Sequence, residues 1–253
     1  MNAVALHLLP VRTGTAAENM AVDFLLLQRY PAAGPPRFRH YEWRGPAFTF
    51  GFSQKIDFVR AYLPVGEVVD LCRRPTGGGI VDHRNDWTYT LVLPRGHPLY
   101  DERAAQSYRA VHECLAAALR ALGQTAEVKQ ACEPVERVDP NALFGEASCG
   151  QAAPPTGVCF QRAELYDVVN SATGAKVAGA AQKRNKHGLL FQGSIEKANL
   201  GPVDWEDFLG RFTTALGASL GHAPQETPWP ELNEDEVAGL TEQYSSPEWI
   251  AYR

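Results

Sequence analysis

Three consecutive glycines set between two runs of β-branched and apolar residues constrain this chain more than any other feature. The stretch reads Arg73-Arg74-Pro75-Thr76-Gly77-Gly78-Gly79-Ile80-Val81-Asp82-His83, with Val68-Val69-Asp70-Leu71 before it and Thr88-Tyr89-Thr90-Leu91-Val92-Leu93 after it. The flanks have strand composition, so the segment reads as a strand, a glycine turn and a second strand. A glycine run costs backbone entropy on folding. A chain accepts that cost where a positive φ is needed or where backbone N–H groups must approach a ligand without a Cβ in the way. Two arginines before the turn and a histidine after it suit a loop that surrounds an anionic or carbonyl-bearing ligand.

Around this centre two periodicities alternate. Residues 4–9 form a short strand, and Thr13 or Thr15 caps a helix that runs to about residue 30. After a Pro/Gly break, residues 38–43 and 47–52 read as two strands joined across Gly45-Pro46, and residues 56–63 as a short helix. Residues 107–122 carry Val111, Leu115, Ala118 and Leu119 at helical spacing, and Gly123 stops that helix. Residues 130–156 shift to Pro, Glu, Ala and Gly with little periodicity, the signature of a long loop. Residues 166–182 read as a hairpin turning at Ser171-Ala172-Thr173-Gly174, followed by a basic turn over 183–188 and a strand over 189–195. Helices over 205–220 and 233–244, the second capped by Asn233, complete the chain.

At 253 residues the chain is long enough to bury a sizeable core. Its formal net charge of -5, with 24 Lys and Arg against 29 Asp and Glu, argues against a dedicated nucleic-acid binder. A local basic patch can still receive an acidic protein. The first residues lack the charged leader of a signal peptide, and no apolar run is long enough for a membrane span. A cytoplasmic location with no membrane partner is therefore expected. The five cysteines, Cys72, Cys114, Cys132, Cys149 and Cys159, are odd in number and include no C-x-x-C pair, which speaks against a disulfide framework or a structural zinc site.

Two residues outside the glycine segment invite chemistry. Cys159, in Gly157-Val158-Cys159-Phe160, ends the long loop, where cations can lower a thiol pKa and make it nucleophilic; the ordinary reading is an inert buried cysteine. Lys176 opens the small-residue strand Val177-Ala178-Gly179-Ala180-Ala181, which leaves room for a substrate beside the ammonium; the ordinary reading is a solvated edge charge.

The glycine segment with Val81, His83 and Thr88-Tyr89-Thr90, then Cys159-Phe160, Tyr166-Asp167-Val168-Val169 and Gly174-x-Lys176-Val177-Ala178-Gly179-x-Ala181-Gln182, together resemble the biotin/lipoate protein ligase A/B family. Asn19-Met20-Ala21-Val22-Asp23 and Gly51-Phe52-Ser53-Gln54 match as well, so the similarity covers about residues 5–220 in order. The nearest branch is the cysteine-dependent octanoyltransferases. The resemblance implies a mixed, largely antiparallel α/β fold flanked by helices, over residues 1–225, without the ligases' accessory C-terminal domain. Residues 226–253 then form a helical extension packed on it.

It also implies roles. Cys159 falls on the acyl-accepting cysteine, with Cys149 a rival in the same loop, and Lys176 on the family's lysine, which holds the carbonyl oxygen as charge develops. Arg73, Arg74, Thr76, Gly77, Gly78, Gly79, His83, Gly179 and Gln182 fall on substrate-binding positions. The implied donor is octanoyl-acyl carrier protein, and the acceptor is an apo lipoyl domain or the glycine cleavage H protein, with no metal and no cofactor. Two alternatives remain open at this stage. One is an ATP-dependent lipoate ligase using Mg²⁺, which Gly79 favours because the transferase pattern has arginine there. The other is a non-catalytic relative, left possible by Gly79 and by Ala180 in place of a usual serine.

Overall fold

The coordinates are those of a computed structural model and describe residues 5–29, 34–131, 160 and 162–252. In chain order the elements are β1 (Ala5–Gly14), α1 (Ala16–Gln28), β2 (Arg37–Trp43), β3 (Ala47–Phe50), α2 (Ile56–Tyr62), β4 (Asp70–Arg73), β5 (Ile80–Asp82) and β6 (Asp86–Pro94). They continue with α3 (Pro98–Asp101), α4 (Ala104–Ala121), β7 (Ala126–Val128), β8 (Val168–Asn170), β9 (Lys176–Asn185), β10 (Gly188–Glu196), α5 (Trp205–Leu220), β11 (Ala223–Glu226), α6 (Glu234–Ser245) and α7 (Pro247–Ile250).

Eight strands form one sheet in the order β11-β1-β2-β6-β10-β9-β8-β7. The β11, β1 and β2 neighbours run parallel and the remaining pairs antiparallel. A second sheet of three strands has the order β4-β3-β5. Its β3–β4 pair is parallel and its β3–β5 pair antiparallel. The fold is thus mixed α/β and largely antiparallel, as expected.

Strand β6 shows why the large sheet is covered on both faces. All nine of its residues are buried, so neither face can meet water. Trp87, Tyr89, Leu91 and Leu93 pack with Phe191 against Leu115 and Leu119 of α4 and Phe208, Phe212 and Leu216 of α5. Each such side chain contributes roughly 1.5–3 kcal/mol by leaving water. The alternate residue Val92 meets Val22, Leu26 and Leu27 of α1. Helix α1 is buried nearly all round, ten of its thirteen residues out of water, because its other side meets Tyr41, Ala47, Cys72 and Tyr244; its two buried polar residues, Asn19 and Asp23, are bonded within the protein. Thr15 starts it with a capping box: its hydroxyl accepts from Glu18 N, and Glu18 accepts from Thr15 N at 2.8 Å.

Three readings of local order need correction. Strands β2 and β3 do not pair; β2 lies in the large sheet and β3 at the centre of the small one. All four residues of β3 are buried, and a strand apolar on both faces needs cover on both. Likewise β4 and β5 are not neighbours across a turn, since β3 lies between them and the glycine segment crosses its end. There Gly51 and Gly78 pack backbone to backbone: a Cβ on Gly51 would collide with the Gly78 carbonyl oxygen, and Gly78 has φ +91°. Finally, Lys183 and Arg184 belong to β9 rather than to a turn, paired with Leu190 and Leu189.

The short strands β7 and β11, helices α3 and α7, and a 3-10 turn at Lys197–Asn199 were not read from sequence. The C-terminal segment packs α6 on α1 and α7 on β4, where Trp249 Nε1 donates to the Arg73 carbonyl at 2.9 Å. Among the described residues, no helix is long and apolar enough to cross a membrane.

Candidate active site

The two sheets and α1 enclose a cavity of about 60 Å³ whose walls come from Met20, from Tyr41 and Trp43 of β2, from the glycine segment, and from the facing residues of β9 and β10. One wall carries a lysine. Lys176 Nζ lies 2.8 Å from Asp167 Oδ2, with the two side chains 8% and 9% exposed. The lysine lies across the bare backbone of Gly179, where a Cβ would come within 2.6 Å of its Cε and 2.7 Å of its Nζ. Phe160 closes this corner, with its ring centroid 5.6 Å from Nζ. Asp167 is delivered by a strained turn: Tyr166 holds φ +68°, unusual for a non-glycine residue. The Tyr166 carbonyl accepts from His112 Nδ1 at 2.6 Å, and the Glu164 N–H donates to Asp167 Oδ2 at 2.7 Å. Burial pushes the His112 pKa down against the opposing pull of Asp167 and this bond, which keeps the ring neutral beneath the ion pair.

The opposite wall is the glycine segment, held by a chain of hydrogen bonds. Arg74 Nη2 donates to the carbonyls of Gly77 (2.9 Å) and Gly79 (2.8 Å), and Nη1 donates to Thr49 Oγ1 at 2.8 Å. Thr49 Oγ1 lies 2.7 Å from His83 Nε2, whose Nδ1 lies 2.7 Å from Asp86 Oδ2. The same carboxylate oxygen accepts from Thr88 (2.7 Å) and Ser194 (2.5 Å). Burial pushes the Asp86 carboxyl up, but His83 and the two hydroxyls outweigh it and hold the pKa below the usual carboxylate value. Trp43 stacks on His83 at 4.0 Å and donates to Thr88.

A second network fixes this wall to the sheet. Thr76 donates to Gln192 Oε1 at 2.7 Å, and Gln192 Nε2 donates to Asp23 Oδ2 at 2.6 Å. Asp23 pairs with Arg39 at 2.7 Å, both fully buried, so α1, β2, β10 and the glycine segment share one polar knot.

Of the residues singled out in the sequence, Lys176, Arg74, Gly78, His83 and Gly179 line the cavity. Thr76, Gly77 and Gly79 shape its wall through the bonds just given. Two do not reach it. Arg73 faces the other way, donating to the carbonyls of Phe52 (2.7 Å), Gln54 (2.8 Å), Trp249 (3.1 Å) and Ile250 (2.8 Å). Gln182 bonds Ser107 and the Ala104 carbonyl at the start of α4. Cys159 and Cys149 lie outside the described residues, while Phe160, bonded to Cys159, lines the cavity.

Sequence reasoning assigned no role to Asp167, Asp86, Thr49, Gln192 or Ser194. Asp86 carried a faint signal as an acid three residues after His83 in a run that is otherwise strand-like. Asp167 lay in the Tyr166-Asp167-Val168-Val169 motif, on the hairpin that leads to Lys176; Thr49, Gln192 and Ser194 carried no signal, because their partners are distant in the chain. The hydroxyls and amide on these walls are bonded within the protein, so the cavity offers an apolar interior with a cation at one edge. That combination suits an apolar chain ending in a carbonyl.

Residues 15–197 match the model of the lipoyl protein ligase A/B catalytic domain, and the chain belongs to that family. It is 32% identical over 199 residues to the octanoyltransferase LipM of an Exiguobacterium species, covering 77% of this chain and 67% of that protein. It is 32% identical over 198 residues to octanoyltransferase LipM of Kyrpidia tusciae (75% and 65%) and 33% over 181 residues to that of Bacillus cereus (71% and 60%). The matches thus span three-fifths to two-thirds of these relatives. Among solved structures, lipoate-protein ligase A bound with ATP superposes with a TM-score of 0.69 at 19% identity, over 98% of both chains. A bi-partite lipoate protein ligase of Thermoplasma acidophilum, described together with its E2 lipoyl domain, gives a TM-score of 0.70 at 18% identity over 100% and 98%.

Proposed function

We propose that this chain is an acyltransferase that moves an octanoyl group, by way of a thioester on Cys159, onto a lysine of a lipoyl domain or of the glycine cleavage H protein. The observation that carries the reading is the Lys176 ammonium, nine-tenths buried at the edge of an apolar cavity, beside the residue that follows Cys159. An ammonium has three donors. Asp167 takes one, which leaves two for the oxygen of a bound carbonyl. In the first step the Cys159 thiol gives up its proton, the thiolate attacks the donor thioester, a new carbon–sulfur bond forms as the one to the carrier breaks, and the carrier thiolate takes up that proton and leaves as its thiol. In the second, the acceptor amine attacks the acyl-enzyme, an amide forms, the amine proton is lost, and the cysteine thiol is restored. Charge gathers on the carbonyl oxygen in both steps, so Lys176 stabilises both. Transfer between thioesters needs no ATP and no Mg²⁺.

The test is intact mass after incubation with octanoyl-acyl carrier protein. One octanoyl adduct is expected, labile to hydroxylamine and absent from Cys159→Ser, and it should pass to an apo lipoyl domain. An adduct retained by Cys159→Ser but lost from a Cys149 variant would move the nucleophile. Modification of the lipoyl domain only with ATP, Mg²⁺ and free lipoate would replace the reading with a ligase.

A further inference from the structure

The β9–β10 hairpin leads out of the cavity to a surface of opposite sign to the chain as a whole. Gly179 and Ala181 line the cavity, and Lys183 is the next residue on that face of β9. Its Nζ lies 3.4 Å from the Pro75 carbonyl oxygen and 5.8 Å from the Phe52 ring, against the glycine segment. Beyond it, Arg184 and Lys186 are exposed near the hairpin tip. Arg184 donates to the Glu102 carbonyl at 2.6 Å, which brings exposed Arg103 beside it, and the backbone of exposed Arg95 bonds the His187 carbonyl. None of these five cations forms an ion pair with a described carboxylate. Asp101 and Glu102 are the acids adjoining them in sequence, so the surface keeps a net positive charge on a chain whose formal charge is -5.

Resting on the transfer reading, we propose that this surface docks the acidic carrier protein that presents the acyl thioester. Distance separates donor from acceptor. Lys176 and Lys183 are seven residues apart on an extended strand, about 23 Å. A lysine side chain on a docked acceptor cannot cover that span. A carrier that holds its acyl group on a phosphopantetheine arm can, with the arm lying along β9 and its phosphate beside Lys183. Steering by such a patch speeds encounter and is screened by salt.

The test compares two donors, octanoyl-acyl carrier protein and octanoyl-pantetheine, which shares the thioester but lacks the protein and the phosphate. In Arg103→Glu/Lys186→Glu, and in the same protein with Arg184→Glu added, kcat/KM for the carrier-bound donor should fall by about tenfold or more. Octanoyl-pantetheine should be used within about twofold of wild type, and the carrier reaction should lose its dependence on ionic strength. Equal losses with both donors, no loss with either, or a raised KM for the lipoyl domain instead would overturn the docking surface. Wild-type protein that takes octanoate from neither donor would overturn the transfer reading itself.

Discussion

The two walls of the cavity are built on opposite plans. On the glycine wall the polar side chains are bonded within the protein: Arg74 is tied to two carbonyls and Thr49, His83 lies between Thr49 and Asp86, and Thr76 is tied to Gln192. On the lysine wall the ammonium makes, among the described residues, one ion pair, with Asp167 from the turn strained at Tyr166, and lies over a glycine that leaves it room. The first plan fixes shape and the second leaves one charge available. Rigidity on one side and an uncommitted donor on the other are what preorganised stabilisation of a developing oxyanion requires.

The largest effect should come from the lysine wall. Lys176→Ala should lower the rate of acyl transfer by about 10²–10³-fold per folded molecule, the usual loss for an oxyanion donor, and should also lower the melting temperature, because it leaves the buried Asp167 carboxylate without its cation. Gly179→Ala sharpens the point: its Cβ would displace the end of the lysine side chain rather than any backbone, so activity should fall by a large part of the same factor while stability holds. Stopped-flow acylation and thermal melts measure the two quantities. A Gly179→Ala protein with full activity would show that the position of the ammonium is unimportant.

A smaller effect should separate two adjacent arginines. Arg74→Met frees the carbonyls of Gly77 and Gly79 and should impair acylation by roughly 10-fold. Arg73→Met leaves four carbonyls without that donor and should cost about 2–4 kcal/mol of stability, read by urea unfolding, with the rate per folded molecule unchanged. The reverse pattern would place the substrate on the Arg73 side.

The smallest concerns pH. The Asp86 carboxyl, raised by burial but held down more strongly by His83 and the hydroxyls, has a folded-state pKa below its unfolded value of about 3.9. Its stabilisation is therefore present above that unfolded value and is lost as pH falls through the folded one. Asp86→Asn should lower stability at neutral pH and flatten its decline below about pH 4, measured by melting temperature against pH. An unchanged acid limb would remove Asp86 from the network's energetics.

The arginine pair also shows where sequence reading stops. Both were placed at the ligand because they adjoin the glycines, yet successive residues of a strand point to opposite faces, so one had to turn away. Which one did was set by the C-terminal segment, 176 residues further on, whose carbonyls receive Arg73. The same limit explains the β2–β3 and β4–β5 readings. Local composition marks a strand, but its partner is chosen by burial on both faces.

What the residues determined by themselves are the local events: the capping threonine that starts α1, the β-branched and apolar run that makes β6 a strand, the period of α4 and α5, and the motifs that name the family. These depend on neighbours a few positions apart, and so they are written in the order of the chain. Tertiary structure alone decided that Asp86 reaches Thr49 through His83 and that Gln192 ties Thr76 to Asp23. These bonds join groups distant in the chain that only the packing of the glycine segment, α1 and the two sheets brings together, where a buried polar atom finds a partner inside the protein.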